Sequence, residues 1–140
     1  MNSPQGLVYL TRRERFCAAH RLDSPHLSTE ENRQLYGKCN YDNGHGHNYE
    51  LFVTIRGIPD PKTGILIFID DLKAIIHRVI IDRLDHRHLN FDIPELSEVI
   101  PTAENLVIVF WNWLEPELPK GLLYEVKLFE TENNTSFYRG

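Results

Sequence analysis

Gly44-His45-Gly46-His47-Asn48-Tyr49 sets two imidazoles two residues apart, with glycines that let the backbone come close. On a strand that spacing projects both rings to one side, where they can reach a single ion. His20 offers a third nitrogen, from the inward face of the preceding strand. Three neutral histidines with an open fourth position describe a catalytic zinc centre rather than a closed structural one. A His-x-His pair alone is also ordinary polar decoration near a turn. The third candidate ligand and a nearby thiol therefore carry the weight. That thiol is Cys39, six residues before His45 in a polar, Gly-rich loop. A dication close by would lower its pKa and enlarge its thiolate fraction. The residues leave three roles open for it: a reactive thiol, a fourth zinc ligand, or an inert packed side chain. Cys17 falls on the strand face opposite His20 and reads as structural.

Leu84-Asp85-His86-Arg87-His88-Leu89-Asn90 holds a second concentration of titratable groups. An Asp beside a His can fix an imidazole tautomer or poise its proton. The same pair at a helix C-terminus can instead satisfy backbone groups and the helix dipole. His86 and His88 are also a candidate metal pair, although a helix end orients neighbours less reliably than a strand. Glu130 closes the apolar stripe of a later strand, either in water or buried with a partner. Buried, it could accept two hydrogen bonds from an N–C–N–H edge, the geometry that reads guanine or pterin rings. Arg12, Arg13 and Arg15 form a local basic cluster that reads first as a solvated strand face.

Elements must carry these groups. Leu7 to Arg21 reads as a long strand with Phe16, Ala18 and His20 on one face. Ser28-Thr29-Glu30-Glu31 is a capping box for a short helix that Gly37 ends. His47, Tyr49, Leu51, Val53 and Ile55 alternate with more polar neighbours, and the strand reaches His45 if it extends back. Asp60-Pro61-Lys62-Thr63-Gly64 is a turn. The apolar run Ile65 to Ile69 is a strand end or the approach to a helix. Asp70 is a candidate N-cap for a helix to about Leu84, with Leu72, Ile75, Ile76, Val79 and Ile80 as its stripe. Thr102 caps another helix, with Leu106, Val109, Phe110, Trp113 and Leu114 facing inward and Pro116 and Pro119 stopping it. Leu122, Tyr124, Val126, Leu128 and Glu130 share one face of a third strand. After Asn133-Asn134, Thr135 to Arg139 returns as a fourth. The order strand-strand-helix-helix-strand-strand predicts an α+β fold, an antiparallel four-stranded sheet with two helices on one face. Its two free edges predict subunits joined edge to edge into a ring.

Composition narrows the class. The chain has 140 residues, 41% hydrophobic and 25% charged, enough to bury a core as a single domain spanning 1–140. A net charge of -5 without a long basic stretch argues against a nucleic-acid partner. The polar opening Met1 to Gly6 carries no secretory pattern, and no apolar run approaches the ~20 residues that cross a bilayer. Two cysteines are too few for a disulfide framework, so both thiols are expected free, in the cytoplasm.

Taken together the chain resembles the 6-pyruvoyl-tetrahydropterin synthase and 6-carboxy-tetrahydropterin synthase family over nearly its whole length. The likeness rests on Phe16-x-Ala18-Ala19-His20-Arg21-Leu22, Gly37-Lys38-Cys39-Asn40, Gly44-His45-Gly46-His47-Asn48-Tyr49, Asp60-Pro61-x-Thr63-Gly64, Leu84-Asp85-His86, Thr102-x-Glu104-Asn105 and Glu130-Thr131, in order. The resemblance implies a tunnelling fold (T-fold) whose trimers close a barrel and stack as a homohexamer. It implies His20, His45 and His47 as zinc ligands, Cys39 as the base and Asp85 with His86 as its relay. Glu130 would anchor the pterin ring, and Thr102 and Glu104 would add pterin contacts from a neighbouring subunit. The implied reaction is a zinc-dependent lyase step in tetrahydrobiopterin-type biosynthesis. It takes 7,8-dihydroneopterin triphosphate to 6-pyruvoyl-tetrahydropterin with loss of triphosphate. The sister branch, the 6-carboxy-tetrahydropterin synthases of queuosine biosynthesis, shares these residues but usually has a shorter gap from Cys to the first paired His. The long Cys39 to His45 gap is similar to the pyruvoyl-forming branch. A pterin- or zinc-binding protein without turnover is the third reading, and it sits poorly with a chain that keeps Cys39 and His86.

Overall fold

The computed structural model describes residues 4–140, and part of the polar opening read at Met1 to Gly6 lies outside them. Two 13-residue strands, β1 (Val8–His20) and β2 (His45–Gly57), pair antiparallel along their whole length, from Val8 opposite Gly57 to His20 opposite His45. The period-two alternation predicts both, and burial follows it: Phe16, Ala18 and His20 on β1, with Tyr49, Leu51, Val53 and Ile55 on β2, are closed to solvent. Between them lie α1 (Thr29–Tyr36) and a 3₁₀ turn, Gly37–Asn40. The capping box forms as read. Ser28 Oγ accepts from the Glu31 amide, and Glu31 accepts from the Ser28 amide. Gly37 ends the helix at φ 55, a conformation that suits a residue without Cβ.

The expectation of four strands needs correcting, because among the described residues the sheet has five, in the order β3-β1-β2-β4-β5. The additional strand β3 (Arg87–His88) is two residues long and runs parallel to β1 beside Ala18 and Ala19. No alternation can announce so short a strand. The first long helix also departs from its reading. It begins at α2 (Ile69–Ile76), with Phe68 rather than Asp70 at the N-cap and no side-chain cap. It then loosens into a π-turn, His77–Ile81, before a last turn α3 (Asp82–Leu84). Leu72, Ile76, Val79, Ile80, Ile81 and Leu84 are buried, while Ile75 packs only partly. The apolar run before it is the approach to this helix.

Helix α4 (Ala103–Leu114) starts as expected, with Thr102 Oγ1 accepting from the Asn105 amide. It buries Leu106, Val107, Phe110 and Leu114 against the sheet. Strand β4 (Leu123–Thr131) pairs with β2, and a two-residue turn returns the chain as β5 (Asn134–Tyr138). A bulge opposite Thr54 and Ile55 breaks the stripe predicted for β4. Leu123 and Glu125 are buried there in place of Leu122 and Tyr124, and regular alternation resumes at Val126. At the centre Phe16 stacks on Tyr49 with ring centroids 4.8 Å apart, and Phe110 meets Phe16 edge-on. Among the described residues no helix is long and apolar enough to cross a membrane.

Candidate metal centre and relay

Antiparallel register builds the centre. Direct partners on β1 and β2 share a face, so His20 opposite His45 and Ala18 opposite His47 bring three imidazoles to one end of the core face. Alanine at position 18 leaves room for the His47 ring. The three ring pairs have centroids 4.6, 4.9 and 4.7 Å apart, all near edge-to-face. One nitrogen from each ring lies within 4.8 Å of the other two, and His20 Nε2 is 3.1 Å from His45 Nε2. A tetrahedral ion with arms of about 2.0–2.1 Å holds its ligand nitrogens roughly 3.3 Å apart, so small ring rotations suffice.

Electrostatics point the same way. His20 is 1% exposed, and burial lowers its pKa to about 4, against a backbone hydrogen bond that opposes the shift. Burial also lowers His45 and His47, and the His45 charge adds to the effect on His47. All three are therefore neutral near pH 7, with lone pairs free to coordinate. His20 Nδ1 lies 2.8 Å from the Pro101 carbonyl. Donating there fixes the tautomer and turns the Nε2 lone pair inward. Buried His45 Nδ1 and His47 Nε2 lack hydrogen-bond partners. A cluster of neutral imidazoles with unpaired nitrogens fits a divalent cation.

Two of the surrounding contacts are invisible in the sequence. Pro101 precedes the α4 cap and is 81 residues from His20, so only the fold brings them together. Tyr49, a core residue by its alternation, also puts its hydroxyl 3.3 Å from His20 Nδ1. Glu130 lies beside the cluster, its oxygens 4.0 Å from His20 Nε2 and 3.8 Å from His47 Nε2. Burial, then the negative charge of Glu104, raises the pKa of Glu130. One chain thus brings Glu104 and the start of α4 toward Glu130. A hollow lined by Arg15, His47, Asn48, Glu50, Glu130 and Glu132, among others, opens next to these groups.

Asp85 and His86 sit on the other side of β1. Asp85 Oδ1 accepts from the Cys17 amide at 2.9 Å, and its Oδ2 is 3.0 Å from His86 Nδ1. The Cys17 hydrogen bond leads in holding Asp85 below the usual carboxylate range. His86 is the one non-glycine residue with positive φ (62°) among the described residues, and its amide donates to the Cys17 carbonyl at 2.7 Å. The thiol that this chain places near the pair is Cys17; its sulfur, an Asp85 oxygen and a His86 nitrogen lie within 4.8 Å of one another. Cys39 belongs to neither cluster. Its carbonyl accepts from the Leu22 amide, and neighbouring Asn40 ties the loop to the Leu22 carbonyl and to Asp23. Leu22 is five residues beyond Cys17, on the order of 15 Å along an extended chain. His88 stacks on Phe91 and leaves a buried Nε2 without a partner near Gly44, and no group of three possible ligands among the described residues joins it to His86.

A family model described as 6-pyruvoyl tetrahydropterin synthase matches residues 9–140. The chain is 47% identical over 131 residues to the 6-pyruvoyl tetrahydrobiopterin synthase of Homo sapiens, covering 94% of this chain and 90% of that protein. It is 50% identical over 133 residues to the Dictyostelium discoideum protein of the same name, covering 95% and 96%. The solved structure of Caenorhabditis elegans 6-pyruvoyl tetrahydropterin synthase superposes with a TM-score of 0.93 at 38% identity, over 100% of this chain and 99% of that one.

Proposed function

Because this chain belongs to the 6-pyruvoyl tetrahydropterin synthase family, we propose that it converts 7,8-dihydroneopterin triphosphate to 6-pyruvoyl-tetrahydropterin, eliminating triphosphate. The observation that carries the reading is the grouping of three neutral histidines with Glu130 against them. His20, His45 and His47 would hold Zn2+, which supplies Lewis acidity to the substrate's side-chain hydroxyls. Glu130 anchors the pterin through its N–C–N–H edge, and two donated hydrogen bonds offset the desolvation of that half-buried carboxylate. Thr102 and Glu104 border the same ring from the start of α4. Ionised Asp85 keeps Nδ1–H on His86, leaving the outer ring nitrogen to exchange the hydroxyl proton. Cys39 removes side-chain protons. The redox change is internal to the pterin, so no external electron carrier enters.

Cys39 and the Asp85–His86 pair lie too far apart along one chain to share a proton. We therefore assign them to two copies meeting at a shared site, in a homohexamer built as a dimer of trimers. The strand edges favour this. Outside Ala18 and Ala19 the outer edge of β1 has no strand partner among the described residues, and exposed Val8 and Tyr9 lie on it. Residues 1–140 would act as one domain, and two free thiols suit a reducing compartment such as the cytoplasm. The test is to incubate purified protein with 7,8-dihydroneopterin triphosphate, with and without chelator, and weigh the products. A retained three-carbon side chain with released triphosphate, lost on chelation, is expected. A one-carbon carboxylate with acetaldehyde would overturn the pyruvoyl assignment. Chelator-insensitive turnover would overturn the zinc role.

A further inference from the structure

Cys17 reads as structural from the sequence, yet the fold sets it at the mouth of a second hollow, on the face of β1 opposite His20. That hollow is lined by Arg15, Phe16, Cys17, Asn48, Asp85 and His86, with Tyr49 behind them. Three different ligand atoms converge there: a thiol sulfur, a carboxylate oxygen and an imidazole nitrogen, each within 4.8 Å of the others. The backbone keeps them together. Asp85 accepts from the Cys17 amide while His86 donates its own amide to the Cys17 carbonyl, a two-point clamp around one residue. His86 takes positive φ in the process, a left-handed conformation uncommon for a residue with a side chain. Its ring is largely exposed and free to rotate toward an incoming ion.

We propose that Cys17, Asp85 and His86 form a second metal site, selective for thiophilic divalent cations such as Cd2+ or excess Zn2+. One thiolate, one carboxylate and one neutral imidazole give two negative charges to match the ion, and sulfur discriminates against Mg2+ and Ca2+. Binding displaces the thiol proton to solvent and leaves every oxidation state unchanged. Arg15 in the same hollow opposes the ion's charge, so this site is weaker than the histidine centre. Occupancy takes the Asp85 oxygens and the His86 ring out of proton transfer. That consequence rests on the relay role proposed above; the site itself does not.

The experiment titrates the zinc-loaded oligomer with Cd2+, following the ultraviolet thiolate-to-cadmium charge-transfer band, bound metal by dialysis, and turnover. Wild type and Cys39→Ser are expected to take up one further equivalent per chain with the band. Cys17→Ser, close in shape and outside the proposed chemistry, loses the band and keeps its turnover in Cd2+. Asp85→Asn binds at least tenfold more weakly. A band that survives in Cys17→Ser, or that vanishes only in Cys39→Ser, overturns the site. Cadmium entering the histidine centre gives no thiolate band and is told apart on that ground. A Cys17-dependent band with undiminished wild-type turnover keeps the site but overturns the silencing of Asp85 and His86.

Discussion

Acidifying the metal-free protein should expose how strongly the fold resists a charge at His20. Its pKa is about 4 in the folded chain against the usual 6.5, with burial as the main cause. Above pH 6.5 the ring is neutral whether folded or unfolded, and the full stability is present. Between pH 6.5 and about 4 the unfolded chain takes up a proton that the folded chain refuses, so stability falls as pH falls. At 1.36 kcal/mol per pH unit the loss approaches about 3 kcal/mol. The ring is 1% exposed, so solvent screening takes little from that figure. His45 and His47 are shifted the same way and add to it, while Glu130, whose pKa is raised by burial, offsets part of it. With a urea slope of roughly 1–3 kcal/mol per molar, the midpoint should drop by about 1–3 M. The assay is urea unfolding of chelator-treated protein between pH 7 and 4.5, above the range where Asp85 and Glu14, both held low, begin to protonate. His20→Gln should flatten the dependence by about 2 kcal/mol. Parallel curves for wild type and His20→Gln would refute the reasoning.

Three further perturbations test the surroundings of the site. Gly44 has φ 76, and a Cβ there would meet the His20 carbonyl oxygen at 2.7 Å and His88 Nε2 at 2.8 Å. Gly44→Ala should therefore cost about 1–3 kcal/mol and weaken zinc at least tenfold in a chelator competition. Thr102→Ala removes the α4 cap and should cost about 1 kcal/mol in urea, with looser metal because Pro101 holds His20. Asn40→Ala leaves the Leu22 carbonyl and Asp23 without their amide partner, costing about 1–3 kcal/mol and speeding alkylation of Cys39.

Periodic features were legible in the sequence. The alternation from His45 to Ile55 fixes which side chains of β2 face the helices, and a strand spacing of two puts His45 and His47 on one side. The Ser28 box and the Thr102 cap are local patterns, and both form. What could not be read depends on register or on distance along the chain. Nothing local says that His20 stands opposite His45 rather than one residue away. Burial of Glu130 needed the pairing of β4 with β2, since its position at the end of a stripe suits water equally well. Strand β3 exists because the chain leaving α3 lies beside Ala18, not because Arg87 and His88 favour strands. The bulge at Thr54 and Ile55 shifts β4 by one residue, which a regular alternation cannot anticipate.

The π-turn at His77–Ile81 makes the chain's numbering matter at one place. Such a turn accommodates one residue more than an α-helix would, and everything after it is advanced in phase. Wound instead as a continuous α-helix without losing a residue, the segment would have no such slack. Every later residue would then be turned by roughly 100° and carried forward by about 1.5 Å. Asp85 would swing off the Cys17 amide, and His86 would lose the clamp that holds its positive φ. A continuous α-helix of the same residues could form, but Asp85 and His86 could not keep their places on it, so the turn works as a spacer whose length those two residues set.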